Sequence, residues 1–103
     1  MSAFRVAIIT VPKEKAEDLS RELVENKLAA CVNMIDNVRS VYYQDGKVEV
    51  SSETLLIAKT ASMKIENLIK YVIENHPYIT PEVIAFDITE GNPDYLNWIH
   101  EGT

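Results

Sequence analysis

The distribution of apolar residues along the chain predicts that strands and helices alternate. A short run rich in valine and isoleucine, Phe4 to Val11, predicts a strand, and Pro12 directly after it suits the first turn of a helix. From Lys13 to Asn26 the apolar residues recur at helical spacing, while charged residues occupy most of the other positions. The chain therefore begins with a strand followed by an amphipathic helix.

The middle of the chain predicts a long β-hairpin. The segment from Leu28 to Gln44 has an extended pattern, and Asp45-Gly46 after it is the strongest short-range hairpin signal in the sequence. The segment from Lys47 to Thr60 first alternates between polar and apolar residues and then becomes apolar. We expect the second hairpin strand to be buried over its later half.

A second amphipathic helix, from Ser62 to Asn75, is predicted by apolar residues at the i, i+3, i+4, i+7 and i+8 positions. The two prolines of segment 76–81 end this helix and favour an extended connector. Val83 to Ile88 then predicts another strand. Asn92-Pro93 supplies an N-cap residue and a proline at the first position of a short C-terminal helix.

The order β-α-β-β-α-β predicts an α+β, ferredoxin-like fold with an added C-terminal helix, in which the first two helices cover one face of an antiparallel sheet. Three of the strands are apolar at successive positions, which places apolar side chains on both faces of the sheet. A partner subunit or the last helix must cover the second face. We therefore expect a homo-oligomer.

Length and composition narrow the possible functions. The 103 residues suit a single domain spanning residues 1–103. Ten basic against sixteen acidic residues give a formal net charge of −6, which disfavours nucleic acid as a partner. No apolar run approaches the length that spans a bilayer, so no membrane association is expected. The start of the sequence lacks an export-signal pattern and there is one cysteine, so a cytoplasmic location is expected.

Few residues are candidates for metal binding. Cys31 lies in an apolar segment, which favours a small buried residue; a soft copper ligand is the alternative. His76 ends a predicted helix, where it could cap the last carbonyls or belong to a pocket or metal site, and His100 is expected to face solvent. Because no Cys and His residues are closely spaced, spacing alone predicts no metal site.

Other polar and aromatic residues leave two interpretations open. Lys59 follows a buried strand and Glu82 begins another, so they could meet in a polar site at the sheet ends or form a plain ion pair. The tyrosines and the tryptophan could line a ligand pocket, although subunit contact is the commoner use of such residues. Arg5 and Arg39 lie in no glycine-rich phosphate loop, which argues against acylphosphatase-type catalysis.

Several segments, in order along nearly the whole chain, resemble the CutA family of divalent-cation tolerance proteins. The resemblance is carried by Leu28-Ala29-Ala30-Cys31-Val32-Asn33, Ser40-Val41-Tyr42 before Gly46-Lys47, Glu53 with Leu55-Leu56-Ile57-Ala58-Lys59-Thr60, His76-Pro77-Tyr78-Ile79-Thr80-Pro81-Glu82, and Tyr95-Leu96-Asn97-Trp98-Ile99.

The resemblance implies a ferredoxin-like fold related to the PII signal transducers and a homotrimer in which long hairpins extend the sheets of neighbours. It also implies tolerance to copper and other divalent cations, with Cys31 and His76 at the positions that match the metal ligands. Lys59, Tyr78 and Glu82 match a polar cleft between subunits. Where the family usually has a tryptophan near the hairpin tip, this chain has Gln44.

Two functions follow from these expectations. The first is a non-enzymatic homotrimer that binds divalent cations and requires no cofactor. Copper is the favoured cation because thiolate and imidazole suit it and it ranks highest in affinity among the divalent ions. The alternative is a PII-like small-molecule sensor or docking module without a direct metal function.

Overall fold

The computed structural model describes residues 2–103, and strands and helices follow one another in the predicted order. Within those residues, no helix has both the length and the apolar character needed to cross a membrane. The second helix begins later than predicted, because a 3-10 turn occupies its first three residues. The elements are β1 (Phe4–Val11), α1 (Lys13–Glu25), β2 (Cys31–Gln44), β3 (Lys47–Ala61), the 3-10 turn Ser62–Lys64, α2 (Ile65–Asn75), β4 (Val83–Asp87) and α3 (Pro93–Glu101).

The strands form one antiparallel sheet with the order β2-β3-β1-β4, which confirms the predicted α+β fold. Alternate residues of the central strands β1 and β3 point toward α1 and α2, and we call this side the helix face. The main core lies there. It includes Ala7, Ile9, Val11, Leu56 and Ala58 from the strands and Leu19, Leu23, Leu68 and Val72 from the helices.

The opposite side, the open face, carries the intervening strand residues, which are Val6, Ile8 and Thr10 in β1 and their partners in the neighbouring strands. Helix α3 contacts β3 and buries Ile99 completely, outside the main core. Ile84 and Phe86 of β4 nevertheless stay 56% and 53% exposed. The sheet therefore has a second apolar side, and α3 covers only part of it.

The hairpin turn forms at the predicted residues. Asp45 and Gly46 have φ angles of 53° and 79°, and Gln44 pairs directly with Lys47, which is the geometry of a two-residue type I′ turn. Valine and tyrosine side chains on one side of the projecting hairpin are all more than half exposed. They are Val41, Tyr43, Val48 and Val50.

A β-bulge in β2 changes which side chains reach each face. Between the pairs Ile35–Leu55 and Val38–Glu53, two residues of β2 face the single residue Thr54 of β3. One of them, Asn37, has a φ of 60°, a conformation that asparagine tolerates better than most residues. Past the bulge, even-numbered residues of β2 instead of odd-numbered ones point to the open face.

Candidate functional site

A cleft of about 820 Å³ lies between the β2–β3 hairpin and the segment that joins α2 to β4. Two carboxylates line it, and no lysine or arginine of the described chain does. Because of the bulge, Ser40 and Tyr42 lie on the same side of the hairpin as Glu53. The polar groups of the lining are the carboxylates of Glu53 and Glu82, the hydroxyls of Thr10, Ser40, Ser51 and Thr80, the phenols of Tyr42, Tyr43 and Tyr78, and the amide of Gln44.

Glu53 is the most deeply placed charge of the cleft, with a residue exposure of 8%. Its Oε2 accepts a 2.9 Å hydrogen bond from the hydroxyl of Tyr78. Nowhere in residues 2–103 does another donor bond to this carboxylate, and none of their basic nitrogens lies within ion-pair distance of it. Its Oε1 is not among the fully buried atoms that lack a partner, so this oxygen faces the cleft while most of the side chain is buried.

The proton of Tyr78 is held tightly. Burial, followed by the hydrogen bond to Glu53 and the charge of that carboxylate, raises the pKa of Tyr78 to about 12. The phenol is therefore a hydrogen-bond donor at neutral pH.

The side chain of His76 positions Tyr78 and does not bond to the last carbonyls of helix α2, so the prediction that the imidazole caps them was wrong, although His76 is the C-cap residue. Its Nε2 lies 2.7 Å from the carbonyl oxygen of Thr10, and its Nδ1 accepts a 3.1 Å hydrogen bond from the backbone N–H of Tyr78. A carbonyl can only accept, so Nε2 donates to it, while Nδ1 is the acceptor. The rings of His76 and Tyr78 are also in contact, with centroids 4.6 Å apart. Both nitrogens of His76 are thus occupied by backbone groups.

The residues predicted for one polar cleft are only partly brought together. Tyr78 and Glu82 line the cleft, and Glu82 Oε1 accepts a 3.3 Å hydrogen bond from the hydroxyl of Thr10. Lys59 lies elsewhere: it is paired across the sheet with Cys31, and its ammonium donates to Asn33 Oδ1. Lys59 and Glu82 form no ion pair within the described chain.

Cys31 belongs to a second polar group, on the open face near α3. Its side chain is a free thiol of intermediate exposure, with Sγ 3.8 Å from Asn33 Oδ1. The pKa of Tyr95, in α3, is raised mainly by burial and further by the neighbouring Cys31. Cys31, Asn33, Lys59 and Tyr95 therefore form one cluster. The exposed position of His100 agrees with its predicted solvent contact.

Cys31 and His76 are too far apart within one chain to share a metal ion. Cys31 is in register with Lys59 and Val6, whereas His76 bonds to Thr10, four residues further along β1. Four residues along a strand correspond to about 13 Å, and two strand spacings, from β2 to β1, correspond to about 10 Å. Metal bonds to sulfur and nitrogen are only about 2.0–2.3 Å long. No group of three or more His, Cys, Asp or Glu ligands occurs anywhere in residues 2–103.

Sequence reasoning did not identify Glu53 and Thr10 as members of the cleft. Glu53 was noted only as a position in a family motif. The signal in the sequence was a charged residue directly beside the apolar part of β3. Charged residues are rarely buried without a partner, so a glutamate at this position indicates a polar site nearby. Thr10 gave no comparable signal.

The chain matches the model of the family "CutA1 divalent ion tolerance protein" over residues 5–102. It is 42% identical over 99 residues to the divalent-cation tolerance protein CutA of Thermus thermophilus, covering 95% of this chain and 96% of the relative. It is 46% identical over 99 residues to the chloroplastic protein CutA of Arabidopsis thaliana, covering 95% of this chain. The crystal structure of CutA1 from Oryza sativa superposes with a TM-score of 0.96 at 42% identity, covering 99% of this chain and 94% of that one.

The chain spans little more than half the length of several curated relatives that it matches, for example 54% of the Arabidopsis protein and 55% of the protein CutA of Mus musculus. The Thermus protein, in contrast, is covered almost completely.

Proposed function

Because the chain belongs to the CutA1 family of divalent ion tolerance proteins, we propose that it binds divalent cations directly and acts as a homotrimer. The family match over residues 5–102 is the observation that carries this proposal. We further propose that residues 1–103 are a single domain, that the protein is not an enzyme, and that it acts in the cytoplasm without a required cofactor.

Two exposed apolar surfaces support an assembly of subunits. Ile84 and Phe86 of β4 lie on the open face and are about half exposed, and the apolar side of the hairpin, on the opposite side of the sheet, is more exposed still. Exposed apolar surfaces of this kind mark interaction sites. A threefold arrangement that places the hairpin against the sheet of a neighbour would cover both surfaces.

Copper is the proposed cation, with Cys31 of one subunit and His76 of another as ligands. Thiolate and imidazole are donors that suit copper, and copper leads the affinity order of the divalent ions. The residues lie at opposite ends of the sheet, so a shared ion requires two subunits. In addition, Nδ1 of His76 must give up its hydrogen bond from Tyr78 before it can bind an ion.

Calorimetric titration of Cu²⁺ into the reduced, metal-stripped protein tests this proposal, after light scattering has established the number of subunits. Saturable binding near one ion per subunit supports direct cation binding, and weak binding without defined stoichiometry contradicts it. The double variant Cys31→Ser with His76→Gln is expected to lose tight binding. His100→Gln, which removes an exposed histidine, is the matched control and should bind like the wild type.

A second candidate function, small-molecule binding of the PII type, is favoured by the cleft. Its volume of about 820 Å³ far exceeds what a single metal ion occupies. Tyr78 and Glu82 line the cleft, and we propose that Lys59 of a neighbouring subunit approaches it. A ligand specific for the folded protein would raise the melting temperature. A screen that finds no stabilising metabolite would contradict this function.

A further inference from the structure

We propose that the cleft binds a small organic cation, in which a primary ammonium or guanidinium group is carried on a short apolar body and Glu53 is its counter-ion. This inference rests on the second candidate function, small-molecule binding, and does not depend on metal binding. It specifies the chemical class of the ligand and the residue that selects it.

The carboxylate of Glu53 is the group in the cleft that favours a cationic ligand. It is more than nine-tenths buried, it lines the cleft, and its Oε1 accepts no hydrogen bond from any described residue. Tyr78 supplies one neutral donor, to Oε2 only. A ligand ammonium has three N–H donors and a positive charge, so it would satisfy the free oxygen through a charge-assisted hydrogen bond.

The walls of the cleft suit the remainder of such a ligand. Tyr42 and Tyr78 are 41% and 39% exposed, so their rings remain available for contact. Tyrosine rings attract cations placed over their faces and also pack against hydrocarbon. Ser40 and Ser51 add hydroxyl oxygens that can accept further ammonium hydrogens. The cleft volume of about 820 Å³ lies within the range of roughly 300–1,000 Å³ that small-molecule sites occupy.

The same features disfavour an inorganic divalent ion at this position. Hard divalent ions need about six oxygen ligands in close geometry. The described part of the chain contains no cluster of three or more such side chains, and the cleft offers two carboxylates that are not joined by a common partner.

The test uses phenethylammonium chloride as the probe and phenethyl alcohol as its uncharged counterpart, each titrated calorimetrically into the full-length oligomer. The ammonium compound is expected to bind saturably and the alcohol to bind at least tenfold more weakly. Glu53→Gln should weaken the ammonium compound at least tenfold. Glu49→Gln, on the same side of β3 but beside Lys47, is the matched control and should change binding less than twofold.

Four outcomes would overturn the inference. They are equal binding by wild type and Glu53→Gln, no binding of the amine at all, Glu53-dependent binding of Mg²⁺ without binding of the amine, and amine binding that appears only in Lys59→Met. The last result would show that the ammonium of a neighbouring subunit occupies the cleft.

If Glu53→Gln does not fold, Tyr42→Ala replaces it as the test variant, with an expected several-fold loss of affinity for the amine. Failure of Cu²⁺ binding alone would leave this inference unaffected.

Discussion

Tyr78 and Glu53, 25 residues apart in the chain, are joined by a 2.9 Å hydrogen bond that links the α2–β4 connector to the base of the hairpin. The backbone N–H of Tyr78 donates to His76, whose other nitrogen is bonded to Thr10. One chain of contacts therefore runs from β1 through His76 and Tyr78 to β3. It holds the two walls of the cleft at a fixed separation.

Removing the hydroxyl of Tyr78 should destabilise the protein. Tyr78→Phe leaves the buried carboxylate of Glu53 without its donor, and we expect a loss of about 1–2 kcal/mol in the free energy of unfolding. Chemical denaturation at one fixed protein concentration measures this, since assembly makes stability concentration-dependent. Tyr43→Phe, in which the ring is 74% exposed on the hairpin, is the control. Equal effects of the two substitutions would show that the hydrogen bond contributes nothing.

The raised pKa of Tyr78 predicts a loss of stability at high pH. The folded protein holds this proton more tightly than the unfolded chain, because the pKa is about 12 in the folded state. The stability that Tyr78 contributes in this way is fully present below the usual tyrosine pKa of about 10. It is lost as the pH rises from there through about 12.

A spectrophotometric titration of phenolate absorbance, compared between wild type and Tyr78→Phe, isolates this group. The difference curve should show one phenol that ionises well above the usual tyrosine pKa. A difference curve centred on that usual value would contradict the prediction.

Ser20 is expected to be a site of easy stabilisation. It lies 4% exposed in α1, and its buried hydroxyl has no hydrogen-bond partner in the described structure. Ser20→Ala removes an unsatisfied group and improves helix propensity, so a gain of about 1 kcal/mol is expected from thermal or chemical unfolding. Asp18→Ala, at an exposed position of the same helix, measures the propensity effect in high salt, which screens the loss of its surface charge. A gain no larger than that of the control would mean that the hydroxyl costs nothing.

Lys27 adopts a conformation better suited to glycine. The end of α1 has the Schellman pattern, in which Leu28 N–H bonds to the Leu23 carbonyl, and Lys27 has a φ of 58°. Lys27→Gly should therefore raise the free energy of unfolding by about 0.5–1 kcal/mol, after the larger chain entropy of glycine is subtracted.

The control for Lys27→Gly is the neighbouring substitution Asn26→Gly. Asn26 has a φ of −87°, and its side chain donates to the Glu22 carbonyl, so glycine relieves no strain there and removes a hydrogen bond. We expect this variant to be less stable than the wild type. Denaturation midpoints for the two variants should thus move in opposite directions.

Most of the fold could be predicted because its signals are local. The helical spacing of 13–26 and the proline after β1 determine α1, and Asp45-Gly46 determines the hairpin turn. The Asn92 side chain accepts a hydrogen bond from Asp94 N–H, as expected of an N-cap residue. The start of α2 was misplaced by three residues, because the 3-10 turn Ser62–Lys64 carries the same helical pattern of side chains.

The candidate site was less predictable because it depends on contacts between distant positions. The bulge at Asp36 and Asn37 reverses the alternation of β2 and places Ser40 and Tyr42 on the open face. The sequence around it contains no glycine to signal the change. Lys59 was grouped with Tyr78 and Glu82 through the family resemblance, yet the register of the sheet places it beside Cys31.

The amino-acid sequence by itself determined the order of the elements, the turn of the hairpin, the two-sided apolar strands and the family, since each depends on neighbouring residues or on motifs read in order. Only the tertiary structure decided that Glu53 is buried beside Tyr78, that both nitrogens of His76 bond to backbone groups, and that Cys31 lies far from them. The physical reason is that strand register and one added residue determine which side chains share a face, and the periodicity of a single strand contains neither.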